Sequence, residues 1–162
     1  MKHHQYHAKV TWTGNRGEGT TAYSAYDRNH AISIKGKPSI EGTSDVAFRG
    51  DPSKHTPEDL LVSSLSTCHM LWYLHLCAVN GVVVLQYVDN AFGVMEENKD
   101  GSGQFIGATL SPIVTVTSSD MVEKAMALHH DANRMCFIAR SVNFDVHHKP
   151  QVVVANKEGI PV

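Results

Sequence analysis

The sequence predicts one α+β domain in which mainly antiparallel strands pack on two helices. Three observations carry this. Short β-rich segments flank both helical stretches in the order βββ–α–ββ–α–β(β). No βαβ alternation, internal repeat or Gly-rich phosphate loop is visible. The 162 residues match a single domain, 1–162, of ordinary size, and 42% apolar content is enough for a core.

Tyr6–Thr13, Thr20–Tyr26 and Ala31–Ile34 read as strands separated by Gly and Asn/Asp turns. Gly42–Ser53 is polar and loop-like apart from Val46–Phe48. Thr56-Pro57-Glu58-Asp59 is a strong helix start. Thr56 can cap free N–H groups, Pro57 suits the first helical position, and the two acids suit the positive end of the dipole. The helix is expected to reach Val79, with Asn80-Gly81 as its stop. Apolar groups lie nearly all round it, with small serines between. It should therefore be buried on most of its surface, with a second copy of the chain as one candidate cover. Val82–Met95 and Phe105–Thr117 are β-rich and enclose the polar tip Asn98–Gly103, which predicts a hairpin. Ser118-Ser119-Asp120 opens a second helix on which Val122, Ala125 and Ala132 share a face, and Cys136 falls at or just past its end. Val142–Val146 and Gln151–Val154 read as closing strands.

Net charge is −2, and Lys and Arg are scattered. No broad attraction to nucleic acid or to an anionic membrane is expected. The N-terminus lacks the apolar core of a signal peptide. Leu60–Val79 is broken by Ser63, Ser64, Ser66, Thr67, His69 and His75, so it reads as a buried helix rather than a membrane span. A soluble, cytoplasmic protein is expected.

Three cysteines make an odd number, unlike a secreted disulfide scaffold. Each is either a small buried hydrophobe or a chemical group. Cys68 sits mid-helix, too far from the helix start for the dipole to activate it. Cys77 follows nine residues later. At ~100° and ~1.5 Å per residue it faces the other way, roughly 13 Å off. Bridged Cα atoms lie at most about 7 Å apart, so these two cannot pair within one helix. Cys77 reads as packing, and Cys136 remains as an intrachain partner for Cys68. A peroxide-attacking thiol needs a low pKa, a cation to hold the thiolate and the peroxide oxygen, and a second thiol to trap the sulfenic acid. Candidate cations are Arg16, Arg49, His69, His129 and Arg140. Glu58 can orient an arginine, but it stands ten residues before Cys68, about 15 Å along the axis. It can assist only across a bend or a subunit boundary.

The run Thr56–Cys68, with its ten-residue Glu-to-Cys spacing, resembles the first motif of the OsmC/Ohr family, and His129–Val142 resembles its second-cysteine motif. With Trp12-Thr13-Gly14 near the start, the resemblance covers nearly the whole chain. It implies two mainly antiparallel sheets around two long central helices in an intertwined homodimer, with active sites at the subunit interface. It also implies reduction of organic hydroperoxides, and of hydrogen peroxide less well, without a cofactor. A dithiol, of the lipoyl type, would regenerate the enzyme. Cys68 maps onto the family's peroxidatic cysteine, Glu58 onto its supporting glutamate and Cys136 onto its resolving cysteine. For the catalytic arginine, Arg49 in Phe48-Arg49-Gly50 fits OsmC-like members, while Arg16 fits Ohr-like ones; Arg49 is preferred. Phe137 departs from the family's proline after the second cysteine and suggests a divergent OsmC-like branch.

Other chemistry-bearing residues have blander readings. Eleven histidines invite a metal, but no CxxC or HxxxH motif accompanies them. His69 points to a different helix face from Cys68, which argues against a catalytic His–Cys pair. His129, two turns before Cys136, can line the site, pack or make a hydrogen bond. Trp72, Tyr73, Met70, Met126 and Met135 are core residues by default, although the methionines can shape an apolar pocket. The competing function is a non-catalytic dimeric small-molecule binding or redox-sensing protein on the same scaffold, marked by slow, unactivated chemistry at Cys68.

Overall fold

A computed structural model of the protein describes residues 1–156. The chain divides into two compact units, Met1–Leu61 and the remainder from Val62.

The first unit holds an antiparallel meander of β1 (Lys9–Trp12), β2 (His30–Ser33) and β3 (Ile40–Gly42). Trp12 pairs with His30, and His30 with Gly42. The strand expected over Thr20–Tyr26 is absent; those residues lie in turns. Gly17 and Gly19 take positive φ, and the Asn15 side chain accepts from both their N–H groups, at 2.9 and 3.0 Å. This local bonding replaces a ladder. Arg28 lies over the rings of Tyr23 and Tyr26, at 4.1 and 4.3 Å, and fixes the loop further. Val46–Phe48 forms one 3-10 turn capped by Asp45.

Helix α1 (Pro57–Val79) begins here. Thr56 and Asp59 form a reciprocal cap. The Asp59 N–H donates to Thr56 Oγ1 at 3.2 Å, and the Thr56 N–H donates to Asp59 Oδ2 at 2.9 Å.

In the second unit α1 ends as expected. Gly81 has φ of 74°, and the Val82 N–H reaches back to the Cys77 carbonyl at 2.9 Å. The predicted hairpin is present, but each arm is broken into two strands. β5 (Phe92–Glu97) pairs with β6 (Gly103–Leu110) around the polar tip, while β4 (Val84–Asp89) pairs with β7 (Pro112–Val116). Asp89 holds the break, since its Oδ1 accepts from the Ser111 N–H at 2.7 Å. β8 (Asp145–His148) and β9 (Gln151–Val154) bend in step and add parallel to β6 and β7. Among the described residues there are thus three three-stranded sheets, and four of the six pairings are antiparallel. β8 starts later than expected because Ala139–Ser141 takes a 3-10 turn first.

Helix α2 (Val122–Met135) follows a short 3-10 lead-in, and Cys136 is its extended C-cap. Ala125, Leu128 and Ala132 pack with Tyr73 and Cys77 of α1 and with Val114 and Val116 of β7. The buried positions of α1 beyond Val62 are Leu65, His69, Tyr73 and Cys77, one stripe at four-residue spacing. Burial is narrower than the sequence suggests: Leu71 and Val79 are 63% and 65% exposed. By length and composition alone α1 could cross a membrane. Its ties to protein groups, Ser66 to Asp89 and His69 to His129, are those of a helix seated on a core.

Candidate active site

Two neighbouring stripes of α1 face two places on α2. Along the first, His69 and Tyr73 close on His129. His69 Nε2 and His129 Nδ1 are 3.1 Å apart in a hydrogen bond, and the Tyr73 ring stacks on His129 at 3.8 Å between centroids. Along the second, Cys68 meets Cys136, and Trp72 meets Phe137 edge-on at 5.6 Å. His69 adjoins Cys68, whereas His129 and Cys136 lie seven residues apart, about 10 Å along α2. Helix α2 thus crosses over α1 with contacts spread from Cys77 to Cys68.

The two thiols are free and within hydrogen-bonding reach of each other. Cys68 is half-buried; Cys136 is buried. Burial pushes the Cys136 thiol up to about 11; the Ala139 N–H, 3.4 Å from the sulfur, opposes this, and the adjacent Cys68 adds to it. Cys136 is thus a neutral S–H at physiological pH, aimed at the more accessible sulfur of Cys68. Leu71, Trp72 and His75 line a shallow groove of about 290 Å³ on the α1 surface. Phe137, 67% exposed, stands at its Trp72 side. Cys77 sits in the core, where burial raises its pKa.

The remaining predicted residues lie in the first unit. Arg49 ends the Val46–Phe48 turn with φ of 66°, the one positive φ outside glycine among the described residues. Such a conformation is uncommon and strained for a side chain of this size. Arg49 makes no ion pair among the described residues; Tyr23, 5.9 Å away, is its ring neighbour. Arg16 is committed elsewhere: it pairs with Asp27 at 3.8 Å and donates to the carbonyls of Ser24 and Ala25. Glu58 Oε2 is buried and has no hydrogen-bond partner among the described residues, and Glu58 and Arg49 are not bonded to each other.

Sequence reasoning missed a buried histidine cluster. His69 and His129 are fully buried, their rings nearly parallel, and His148 stacks on His69 at 5.9 Å. Burial, reinforced by His148, pushes His69 down to about 4; burial, then His69 and His148, push His129 down to about 3. Both rings are neutral. The available signal was the position of His69 on the same four-residue stripe as Leu65 and Tyr73. Among the described residues, no three His, Cys, Asp or Glu side chains are grouped to hold a metal ion.

A sequence profile of the OsmC-like protein family matches residues 50–150. The chain belongs to the OsmC-like family. An OsmC-like protein of unknown function from Vibrio cholerae is 30% identical, with 92% of this chain and 100% of that one covered at a TM-score of 0.81. An organic hydroperoxide resistance protein, OsmC, from Legionella pneumophila has the same fold at 15% identity, covering 94% and 98%, with a TM-score of 0.68. The organic hydroperoxide resistance protein OhrB of Bacillus subtilis matches at 18% identity, covering 91% and 98%, with a TM-score of 0.57. No curated protein is significantly similar in sequence. The OsmC-like family includes peroxidases, and this chain has the family's mixed α+β fold.

Proposed function

We propose that this OsmC-like protein, acting as one domain over 1–162, is a cysteine-based peroxidase for organic hydroperoxides. The contact between an accessible Cys68 and a buried, protonated Cys136 carries this reading. The Cys68 thiolate attacks the terminal peroxide oxygen. An S–O bond forms, the O–O bond breaks, and the alkoxide leaves and takes up a proton to become the alcohol. The Cys68 sulfenic acid then condenses with Cys136: an S–S bond forms and water departs. An external dithiol, of the lipoyl type, reduces the disulfide and is itself oxidised. Neither the reaction nor the resting site calls for a cofactor.

Arg49 is proposed to stabilise the thiolate and the leaving oxygen, with Glu58 to orient it. The unusual backbone of Arg49, its lack of a carboxylate partner and the unpartnered oxygen of Glu58 support this choice over the committed Arg16. A homodimer would supply these groups across a subunit boundary. Leu71 and Val79 on α1, with Phe92, Val94 and Ile106 on β5 and β6, are the exposed apolar surface such a dimer would cover. The groove beside Trp72 and Phe137 favours an apolar hydroperoxide over hydrogen peroxide. Unpaired thiols and the absence of a basic patch suit a cytoplasmic protein that binds neither nucleic acid nor membrane.

The test is peroxide-dependent consumption of a dithiol by the purified protein. Cys68→Ser should abolish it, and Cys136→Ser should leave a trappable sulfenic acid that overoxidises. Normal turnover by Cys68→Ser would sink the proposal.

A further inference from the structure

Besides the apolar packing of Ala125, Leu128 and Ala132 with Tyr73 and Cys77, helix α2 meets α1 at two polar points, and only one of them is chemical. The other is the His69–His129 hydrogen bond. Both rings are fully buried within this chain, so no substrate or second copy can reach them. The hydrogen bond joins the two rings to each other and to neither sulfur, so the action of the pair on the thiols is one of position.

We propose that His69 and His129 are positioning residues: their bond pins α2 across α1 and thereby holds Cys136 against Cys68. The inference rests on the reading of Cys136 as the resolving thiol. Three observations support it. His69 is the residue next to Cys68, so a bond at His69 fixes the backbone from which the Cys68 side chain leaves. His129 and Cys136 lie on nearly the same face of α2, two turns apart, so movement at one is carried to the other by a rigid helix. Beyond Cys136 the chain leaves the helix, and the second contact consists of the sulfur itself and the exposed Phe137 ring. The Tyr73 ring stacked on His129 keeps the imidazole plane in the orientation the bond requires.

The neutral pair shares one N–H between the two facing ring nitrogens, and protonating both rings would destroy this bond by placing two cations 3.1 Å apart. The groups facing the pair are Asp89 from β4, His148 from β8, and Tyr73. His130 and His147 lie beyond, against His148. Of these only Asp89 would favour a charge on His69, and it is already taken up by Ser66 and Ser111.

The experiment needs no peroxide. The full chain is equilibrated in buffers of reduced and oxidised dithiothreitol, and the bridged fraction of Cys68 and Cys136 is read by alkylation and mass spectrometry. Replacing His69 by Leu keeps bulk and removes the bond. It should lower the equilibrium constant for the bridge about tenfold, a potential about 30 mV less negative. His69→Gln, whose amide nitrogen stands where Nε2 does, should stay within about threefold of the wild type. Val116→Ala, a core truncation on β7 and on neither helix, should lower the unfolding midpoint without moving the potential. An unchanged potential in His69→Leu, or an equal shift in Val116→Ala, would overturn the proposal. Should His69→Leu fail to fold, the unmutated protein decides by nitrogen-15 NMR. A slowly exchanging ring proton coupled to both histidines is expected in the reduced and bridged forms, and its absence overturns the pin. No peroxide turnover by the unmutated protein, together with the expected potential shift in His69→Leu, would sink the peroxidase reading alone.

Discussion

Two cysteines stand nine residues apart on α1, and their surroundings could hardly differ more. Cys77 closes the buried stripe with Tyr73, under Val82 and against Ala125 and Leu128 of α2. Burial raises its pKa, and no second thiol is near. Cys68 lies on the adjoining stripe, half-exposed, with a neutral S–H pointed at it, and a groove lined by Leu71, Trp72 and His75 lies further along the same helix. Membership of the same helix does not separate the two. What separates them is the crossing of α2, which covers one stripe with its body and offers the other only its last residue. The reactivity of a cysteine here is a property of the crossing point.

The largest effect expected is therefore an asymmetry between the two thiols. Cys68→Ser should reduce peroxide turnover at least about a thousandfold, as removal of a nucleophile does. Cys77→Ala should leave turnover within about twofold and cost stability of about 1–2 kcal/mol, as a small buried truncation does. Stopped-flow turnover and urea unfolding of the two variants check this. Equal losses of turnover would erase the distinction between the stripes.

The same comparison shows what a sequence carries and what it does not. The start of α1 was legible because Thr56, Pro57 and Asp59 are local signals, and their hydrogen bonds form within one turn. The opposed faces of Cys68 and Cys77 were legible too, since helical period alone decides them. The broken hairpin was not legible. Its cause is Asp89, twenty-two residues from the Ser111 N–H it accepts, and no local pattern announces so distant a bond. The strand expected at Thr20–Tyr26 failed for a related reason: Arg28, outside the segment, lies over the rings of Tyr23 and Tyr26 and donates to both their carbonyls. His69 was placed on the right face, but its partner sixty residues away could not be named.

The histidine side of the crossing should show its value in stability rather than turnover. Tyr73→Ala opens a cavity beneath His129 and should cost about 3–5 kcal/mol, close to the loss for other buried aromatics. A fall of less than about 1 kcal/mol in urea unfolding would mean that α2 can collapse onto the gap.

Acid should act on the same stripe. His69 and His129 are held neutral, down to about 4 and about 3, chiefly by burial, while an unfolded histidine titrates near ~6.5. The unfolded chain therefore binds more protons than the folded one between these values. Stability is fully present above about pH 6.5 and is lost as pH falls from there toward 4. His148, also lowered by burial, steepens the loss. Unfolding midpoints measured across this window should slope more gently in His69→Gln. A flat profile in the wild type would mean that the histidines are not buried in solution.

The smallest effect belongs to the exposed stripe. Phe137 meets Trp72 edge-on beside the thiols. An aromatic pair of this geometry contributes about 0.5–1.5 kcal/mol, and most of the Phe137 ring is open to a ligand. Phe137→Ala should therefore raise KM for a bulky apolar hydroperoxide a few-fold, leave its kcat unchanged, and leave hydrogen peroxide turnover unaffected. That pattern marks uniform binding of an apolar tail. A parallel loss with hydrogen peroxide, which has no tail, would instead assign the ring to holding Cys136 in place. Phe137→Pro separates the two further. It removes the same ring contact but stiffens the chain just past α2, so a changed rate of disulfide formation in the proline variant, absent from the alanine one, would locate the effect in the backbone of the turn that carries Cys136.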